Sequence, residues 1–183
     1  MRLKEKYQKQ IVPKMKEKFG YKNGMEVPRI IKATINVGVG RNSKDHKYVD
    51  EVVKSIIQIS GQKPVQTKAK KSIASFKLRQ GTITGVMATL RGRRMYDFLE
   101  KLVNISFPRV RDFRGISASQ VDRTGNLTVG FKENIVFPEI SQDEVENIHG
   151  LEISVTTNAK TREEGLELLK LIGFPFKEEE KKG

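Results

Sequence analysis

The 183-residue sequence has no cysteine, no tryptophan and only two histidines. Without cysteine the chain can form neither disulfide bonds nor thiolate metal sites, and thiol catalysis is excluded. It also has no apolar run near the roughly 18 residues that a membrane span needs, and its N-terminus does not read as a secretory signal. We therefore expect a cytoplasmic protein without a membrane partner.

Charge is unevenly distributed along the chain, and no acidic residue lies between Glu51 and Asp97. Residues 1–114 carry 27 Lys and Arg against 9 Asp and Glu, whereas residues 115–183 carry 8 against 13. Such a single-sign field costs self-repulsion unless a polyanion neutralises it, whereas a merely soluble surface mixes both signs. We therefore predict an RNA partner. Between Glu51 and Asp97 the only charged residues are Lys54, Lys63, Lys68, Lys70, Lys71, Lys77, Arg79, Arg91, Arg93 and Arg94.

Hydrophobic spacing predicts an α+β fold. It indicates an N-terminal helix over 1–20, disrupted at Pro13, a core over 28–160 and a C-terminal helix over 161–172, which Thr161 and Glu164 cap. Residues 30–131 read as strand, helix, strand, strand, helix, strand. This is the split βαβ order of ferredoxin-like domains: an antiparallel sheet with helices on one face and an open polar face. We expect one domain over 1–177 and a flexible tail over 178–183.

Two finer expectations concern the core helices. Ser43 should cap the first of them, and Pro108 should mark the end of the second.

Polar residues alternate with apolar ones along two predicted strands, and further polar residues precede the strand between them. Their amide, hydroxyl and cationic groups can bind ribose hydroxyls, phosphates and base edges of folded RNA. These polar rows contain no Phe or Tyr, so stacking of single-stranded bases is not expected here. The pattern alone fits an ordinary solvated sheet face equally well. The candidate residues are Lys32, Thr34, Asn36, Gln62, Lys63, Thr89 and Arg91.

A basic segment over 68–81 is long for a connection between strands, and apolar residues are interleaved with its lysines. Long loops in compact domains usually carry function or are disordered. We predict a projecting loop that contacts a second RNA by its phosphates; the alternative is a disordered tether.

Motifs for catalysis and cofactors are weak. Gly38-Val39-Gly40 is similar to a dinucleotide-binding turn, but Ser43 stands where the third glycine is needed. A tight turn or a close approach to RNA phosphates explains it as well. Glu146 and His149 have ligand spacing, but no third or fourth ligand accompanies them. We expect no catalytic residue, no cofactor and no metal.

Two rival functions are less well supported by the sequence. An RNA-modifying or RNA-cleaving enzyme would need a clustered acid and base or a metal site, which the basic half lacks. A membrane-surface protein would need an extended basic amphipathic helix with interfacial aromatic residues, and the sequence has none.

A series of motifs in a fixed order covers essentially the whole chain. They are Glu26-Val27-Pro28, Ile35-Asn36-Val37-Gly38-Val39-Gly40, Gly61-Gln62-Lys63-Pro64, Lys70-Lys71-Ser72-Ile73-Ala74-Ser75-Phe76-Lys77, Val86-Met87-Ala88-Thr89-Leu90-Arg91-Gly92, Phe107-Pro108-Arg109-Val110-Arg111-Asp112-Phe113 and Thr156-Thr157. With them the chain resembles the bacterial form of the universal large-subunit ribosomal protein family that binds 5S ribosomal RNA.

The resemblance implies a non-enzymatic, ribosome-associated protein of the central protuberance. Its partners would be 5S rRNA, the large-subunit (23S-type) rRNA, peptidyl-site tRNA, a small-subunit head protein and other central-protuberance proteins, with no DNA. By resemblance, Asn36, Gln62 and Thr89 contact 5S rRNA. The residues expected to contact tRNA are Ile73, Ala74, Ser75, Phe76, Lys77 and Arg79. Those expected to form the intersubunit bridge are Arg109, Arg111 and Asp112.

Overall fold

The computed structural model describes residues 2–43, 45–76, 78–141 and 147–177. Lys77, Glu146 and the predicted tail at 178–183 lie outside the described residues. The chain folds as two compact units, each built from separated segments. The first unit combines the described residues of 1–33, 91–129 and 154–183, and the second unit those of 34–90 and 130–153. That 1–177 form a single domain stays a prediction.

The described ranges contain both helices and strands. The helices are α1 (Leu3–Lys6), α2 (Val12–Phe19), α3 (His46–Ser60), α4 (Gly92–Lys101), α5 (Phe107–Arg109) and α6 (Arg162–Ile172). The strands are β1 (Ile30–Gly38), β2 (Val65–Lys68), β3 (Ile83–Leu90), β4 (Leu127–Phe131) and β5 (Leu151–Thr157). No helix of the described ranges has both the length and the apolar composition to cross a membrane.

Two prolines in the first unit are each preceded by a π-helical turn. Tyr7–Ile11 joins α1 to α2 just before Pro13, and Leu102–Ser106 joins α4 to α5 just before Pro108. A proline has no N–H to donate to the preceding turn, and widening that turn relieves the conflict without ending the helix. The helix ends at Arg109, one residue beyond Pro108, so the prediction that Pro108 marks its end is confirmed.

Helix α3 begins after Asp45, whose side chain accepts hydrogen bonds from the main-chain N–H groups of Lys47 and Tyr48. The expectation that Ser43 caps this helix is wrong, because Asp45 stands directly before the first helical residue and its carboxylate is the stronger acceptor. The capping box of α6 is confirmed: Thr161 Oγ1 accepts from Glu164 N at 3.3 Å, and Glu164 Oε2 accepts from Thr161 N.

The strands form one sheet in the order β2-β3-β1-β5-β4. The predicted class is confirmed: α+β, with a five-stranded antiparallel sheet and helices. The neighbours β2, β3 and β1 follow the split βαβ order. The other side of β1, however, is bordered by β5 instead of β4. The alternating patterns of β4 and β5 are equally good, so the sequence did not distinguish them.

Alternation fixes which side of each strand is buried. In β1 the inward row is Ala33, Ile35 and Val37, and in β3 it is Val86, Ala88 and Leu90. Helix α3 packs against β3 in the second unit with its own apolar face. The residues between the inward ones are therefore left on the other side of these strands.

In the first unit, α6 approaches the turn around Gly125 so closely that two glycines meet. A Cβ atom built on Gly165 would collide with main-chain atoms of Gly125. The Asp122 carboxylate holds this turn by accepting from the N–H groups of Thr124 and Asn126 at 2.9 and 2.8 Å. Since both contacting groups are main chain, neither can rotate away.

We expect Gly165→Ala to lower the free energy of unfolding by about 1–3 kcal/mol through overpacking, although alanine is the better helix former. The matched control is Gly130→Ala in β4, where a Cβ meets open space and φ is not positive. The control should stay within about 0.5 kcal/mol of the parent. Urea titration measures both, and a more stable Gly165→Ala variant would contradict the close approach.

Candidate nucleic-acid interface

β1 is the middle strand of the sheet and carries the first polar candidates of the second unit. Ile35 is fully buried and Val37 nearly so, whereas Thr34 is half-buried and Asn36 is exposed. No hydrogen bond of the Asn36 side chain is found within the described ranges, so its carbonyl oxygen and both N–H groups remain available to a ligand.

The register of β2 with β3 adds a second row beside β1. Thr67 pairs with Gly85, and a Cβ built on Gly85 would lie 2.9 Å from Thr67 Oγ1 and 3.7 Å from Asn36 Oδ1. Thr67, Gly85 and Asn36 therefore follow one another across three strands on the same face. Thr67 and Gly85 were not among the candidates, although the period of two from Val65 and the hairpin pairing could have indicated them.

Gln62 is half-buried at one end of this face and is held there by hydrogen bonds. Its Nε2 donates to the Thr89 carbonyl oxygen at 2.9 Å, and its main-chain oxygen accepts from Ser60 Oγ at 3.0 Å. Gly61, with φ of 68°, turns the chain out of α3 and so brings Gln62 toward β3. Gln62 thereby connects the end of α3 to β3, and Thr89 is half-buried beside it. One amide proton of Gln62 is committed to the fold.

Five of the seven polar residues predicted from the strand pattern lie in the second unit: Thr34, Asn36, Gln62, Lys63 and Thr89. Lys63 is exposed just before β2. The remaining two belong to the first unit. Lys32 is half-buried in β1, and Arg91 lies exposed after the last residue of β3, at the N-cap of α4. Arg91 is thus not a strand residue.

We call this set the sheet face: Thr34, Asn36, Gln62, Lys63, Thr67, Gly85 and Thr89. It offers hydroxyls, amides and one ammonium group, and none of its members is acidic. Such donors and acceptors match ribose hydroxyls, phosphate oxygens and base edges in the shallow groove of folded RNA.

The long basic segment continues the β2–β3 hairpin beyond both strands. Ala69 N donates to Thr82 O at 2.8 Å, and Ile73 and Leu78 exchange both main-chain hydrogen bonds at 2.9 and 3.1 Å. A 3₁₀ turn, Ala74–Phe76, follows Ile73. This arrangement presents side chains outward: Ile73 is 42% exposed and Phe76 is 78% exposed.

Three further loop candidates also lie at the surface. Ala74, Ser75 and Arg79 are exposed, and Ser72 Oγ accepts from Gln80 N at 2.9 Å across the hairpin. Lys77 lies outside the described residues. The segment is therefore a hairpin extension with an exposed aromatic ring near its tip.

In the described part of the second unit, no ion pair is found for the positively charged side chains. The ion pairs found in the described part of the chain are Lys18 with Glu167 at 2.6 Å and Arg93 with Asp97 at 3.6 Å, both within the first unit. Uncompensated cations along one segment favour an external polyanion. The exposed bases of the second unit between Val52 and Leu90 that the structure describes are Lys54, Lys63, Lys68, Lys70, Lys71 and Arg79.

The three bridge candidates lie at the end of α5 and directly after it, in the first unit. Arg109, Arg111 and Asp112 are exposed, and Asp112 has a φ of 52°. Phe113 packs on the buried Phe107 with ring centroids 5.2 Å apart. This aromatic pair anchors the segment, so the charged side chains are presented on a fixed turn.

His149 is a buried residue of the second unit, and its surroundings favour a structural role. Its Nδ1 lies 3.4 Å from both Asn134 Nδ2 and the Asn147 carbonyl oxygen, and burial lowers the pKa of the ring. Among the described residues no group of three potential ligands is placed to hold a metal ion. Glu146, the other residue of the ligand pair considered above, lies outside them.

The glycine turn after β1 is bonded to the sheet. Val39 is buried, and its N–H donates to the Thr84 carbonyl oxygen at 2.9 Å. One of the main-chain donors that a cofactor phosphate would use is therefore occupied, which favours the tight-turn interpretation.

Comparisons with known proteins cover nearly the whole chain. A family model described as "Ribosomal protein L5" matches residues 23–79, and the model that describes the C-terminus of the same ribosomal protein family matches residues 83–176. "Large ribosomal subunit protein uL5" of Desulforapulum autotrophicum is 56% identical over 175 residues, 96% of this chain and 98% of the relative. The proteins of that name from Carboxydothermus hydrogenoformans and Syntrophomonas wolfei are each 53% identical over 96% of this chain, and over 98% and 99% of their own lengths.

Gln62 and Asn36 should differ in what their removal does to the fold. Gln62→Ala should lower the free energy of unfolding by about 1 kcal/mol, because the half-buried Thr89 carbonyl loses its partner. Asn36→Ala, the matched amide truncation at an exposed position, should change it by less than about 0.5 kcal/mol. Thermal and urea unfolding measure both. Equal stabilities of the two variants would show that the Gln62 bond does not support the hairpin.

Proposed function

The chain belongs to the ribosomal protein L5 family, and we propose on this basis that its sheet face binds 5S ribosomal RNA and attaches it to the large-subunit RNA. Family membership makes the chain a structural, non-enzymatic component of the large ribosomal subunit, at the ribosome in the cytoplasm. The resemblance identified from the sequence motifs is thereby confirmed, and so is the prediction that the chain is not an enzyme.

The observation that carries the 5S RNA proposal is the row formed by Thr67, Gly85 and Asn36, with Thr89 and Gln62 beyond it. The row is polar, contains no carboxylate and lies on the side of β1 and β3 opposite their buried residues. Glycine in the middle of the row adds no side chain, so Asn36 and Thr67 approach each other over the main chain. A double-helical RNA can lay its shallow groove on such a flat face and accept hydrogen bonds at its 2′-hydroxyls.

Phosphate contacts would come from the lysines that surround the face. Lys63 precedes β2, Lys68 ends it, and both are exposed. Such contacts set the orientation of the RNA and supply most of the salt-dependent affinity, whereas the amides and hydroxyls supply selectivity. Lys32 and Arg91, which belong to the first unit, are separately proposed to contact RNA phosphates.

The hairpin extension is proposed to contact peptidyl-site transfer RNA. Its tip combines an exposed aromatic ring, Phe76, with the basic residues Lys70, Lys71 and Arg79. An aromatic ring can pack on a ribose or an unstacked base while the cations hold the backbone. Lys77 is included in this contact on the resemblance alone.

The exposed turn with Arg109, Arg111 and Asp112 is proposed as the part that meets a small-subunit head protein. It displays both signs of charge next to an aromatic anchor, which suits a protein partner better than RNA. Other proteins of the central protuberance complete the proposed surroundings.

Truncating Asn36 or Thr89 to alanine should weaken binding to 5S rRNA by about 1–3 kcal/mol each, because unpaired polar groups are left on the RNA. The slope of log K against log salt should stay near −5, the value for about six phosphates, since neither residue is charged. Gel shifts or fluorescence anisotropy over a salt series measure both quantities. Unchanged affinity in both variants would refute the sheet face, and a flat salt response would refute the phosphate contacts.

Phe76→Ala should leave 5S rRNA binding and stability unchanged, because the ring is mostly exposed. In ribosomes that carry the variant, photo-cross-linking between the hairpin extension and peptidyl-site tRNA should fall severalfold, since stacking on one aromatic ring contributes about 1–3 kcal/mol. Phe76→Tyr, which keeps the ring, is the control. Parent-level cross-linking by the alanine variant would contradict the assignment.

A further inference from the structure

A groove on the first unit brings two tyrosine rings together with positive charge. It is lined by residues of α1, the following π turn, β1 and α4, and by Asn158 after β5. Its volume of about 440 Å³ lies within the roughly 300–1,000 Å³ typical of small-molecule sites, so it admits a unit the size of one nucleotide. We call it the tyrosine groove; the lining residues that matter are Lys4, Tyr7, Arg29, Ile31, Tyr96 and Asn158.

Both rings of the groove are half-exposed, and the ring of Tyr7 is held in place by a hydrogen bond. Tyr7 donates its hydroxyl proton to the Pro28 carbonyl oxygen at 3.1 Å, which fixes its ring. Burial raises the pKa of Tyr7 to about 12, and it raises that of Tyr96. Both hydroxyls are therefore neutral at physiological pH and do not repel a phosphate.

Arg29 brings a cation to both rings. Arg29 lines the groove together with Tyr7 and Tyr96, and its positive charge acts on both tyrosines in the direction that lowers their pKa. The main chain of Arg29 is fixed by Asn158, whose Oδ1 accepts from Arg29 N at 2.6 Å and whose N–H donates to Arg29 O at 3.2 Å.

The charge of the groove has one sign. Its lining contains Lys4 and Arg29 and no acidic residue. In the described ranges neither cation forms a salt bridge. Ile31, 46% exposed, adds an apolar wall. Aromatic and apolar walls with unpaired cations complement a ligand that has a flat π-system and a phosphate.

The flanks of the groove favour RNA over a free nucleotide. Arg91 and Arg94 are exposed on either side of the lining residue Gly92. A single nucleotide would leave these charges unneutralised, whereas a strand that passes through the groove places further phosphates beside them.

We propose that the tyrosine groove binds one unstacked nucleotide of ribosomal RNA, with its base against Tyr96 and its phosphates on Arg29 and Lys4. This inference rests on the proposed RNA-binding function and adds a contact by a different mechanism. The sheet face reads folded RNA without aromatic rings, whereas the groove takes a base that has left its helix.

The first experiment uses the full-length protein and a fluorescent uridylate heptamer, with UMP, a blunt RNA duplex and polyglutamate as competitors. Tyr96→Leu should weaken heptamer binding at least about fivefold, and Tyr96→Phe, which keeps the ring, should restore it to within about twofold. Arg29→Gln and Lys4→Gln should each lower the magnitude of the salt slope by about 0.7. Circular dichroism and urea unfolding establish that each variant is folded.

The same variants separate this inference from the proposed function. Tyr96→Leu should leave the sheet-face contribution to 5S rRNA binding intact, and Asn36→Ala should leave heptamer binding intact. If only Asn36→Ala weakens 5S rRNA binding and Tyr96→Leu does not change heptamer affinity, the groove proposal is refuted and the sheet-face proposal is supported. If Tyr96→Leu weakens heptamer binding and Asn36→Ala does not change 5S rRNA binding, only the sheet-face proposal is refuted. If UMP or polyglutamate competes as effectively as unlabelled heptamer, an RNA strand is not the ligand of the groove.

The second experiment uses assembled large subunits. Irradiation of subunits whose RNA contains 4-thiouridine, followed by mass spectrometry of the protein, should give nucleotide adducts on the peptides that contain Tyr7 or Tyr96. Adducts confined to the sheet face and the hairpin extension would overturn the proposal. In subunits carrying Tyr96→Leu the groove adducts should fall severalfold, while those of the hairpin extension should stay unchanged.

Discussion

Burial of alternate residues along β1 is the constraint on which the rest of the second unit depends. Ile35 and Val37 must face the core, and this decides that Thr34 and Asn36 face the other side. A shift of the β1 register by one residue would bury the Asn36 amide and expose Ile35 and Val37, which would lower the free energy of unfolding by several kcal/mol. Because β3 is paired beside β1 and β2 beside β3, the outward rows come into line, and the polar surface results from the apolar one.

The net positive charge opposes the compact state, whereas the burial of apolar residues favours it. The net charge of +13 repels itself in the free protein, and this repulsion is relieved when phosphates neutralise the charge. The exposed cations lie on helices, at strand ends and on the hairpin extension, where they add no desolvation cost to the core. A structural protein of the ribosome can accept this repulsion because its working state is a complex with RNA.

Several local features were foreseeable because their causes are local. The capping box at Thr161 depends on residues three positions apart, and the period of two in β1 and β3 depends on single strands. The missed features have causes that compete or act at a distance. Asp45 replaced Ser43 as a cap because two acceptors compete for the same N–H groups. The π turns before Pro13 and Pro108 were missed, since each relieves a clash between the proline and the preceding turn that a regular α-helix would suffer.

The sequence by itself determined the fold class, the family, the basic character and the outward position of Asn36 and Thr89, since each depends on composition, motif order or strand period. Only the tertiary structure decided that Thr67 and Gly85 lie beside Asn36, that the Gln62 side chain donates a hydrogen bond to the Thr89 carbonyl oxygen, and that β5 borders β1. The physical reason is that pairing between strands brings together residues far apart in the chain. A period shows which way a side chain points, and the register alone shows what lies next to it.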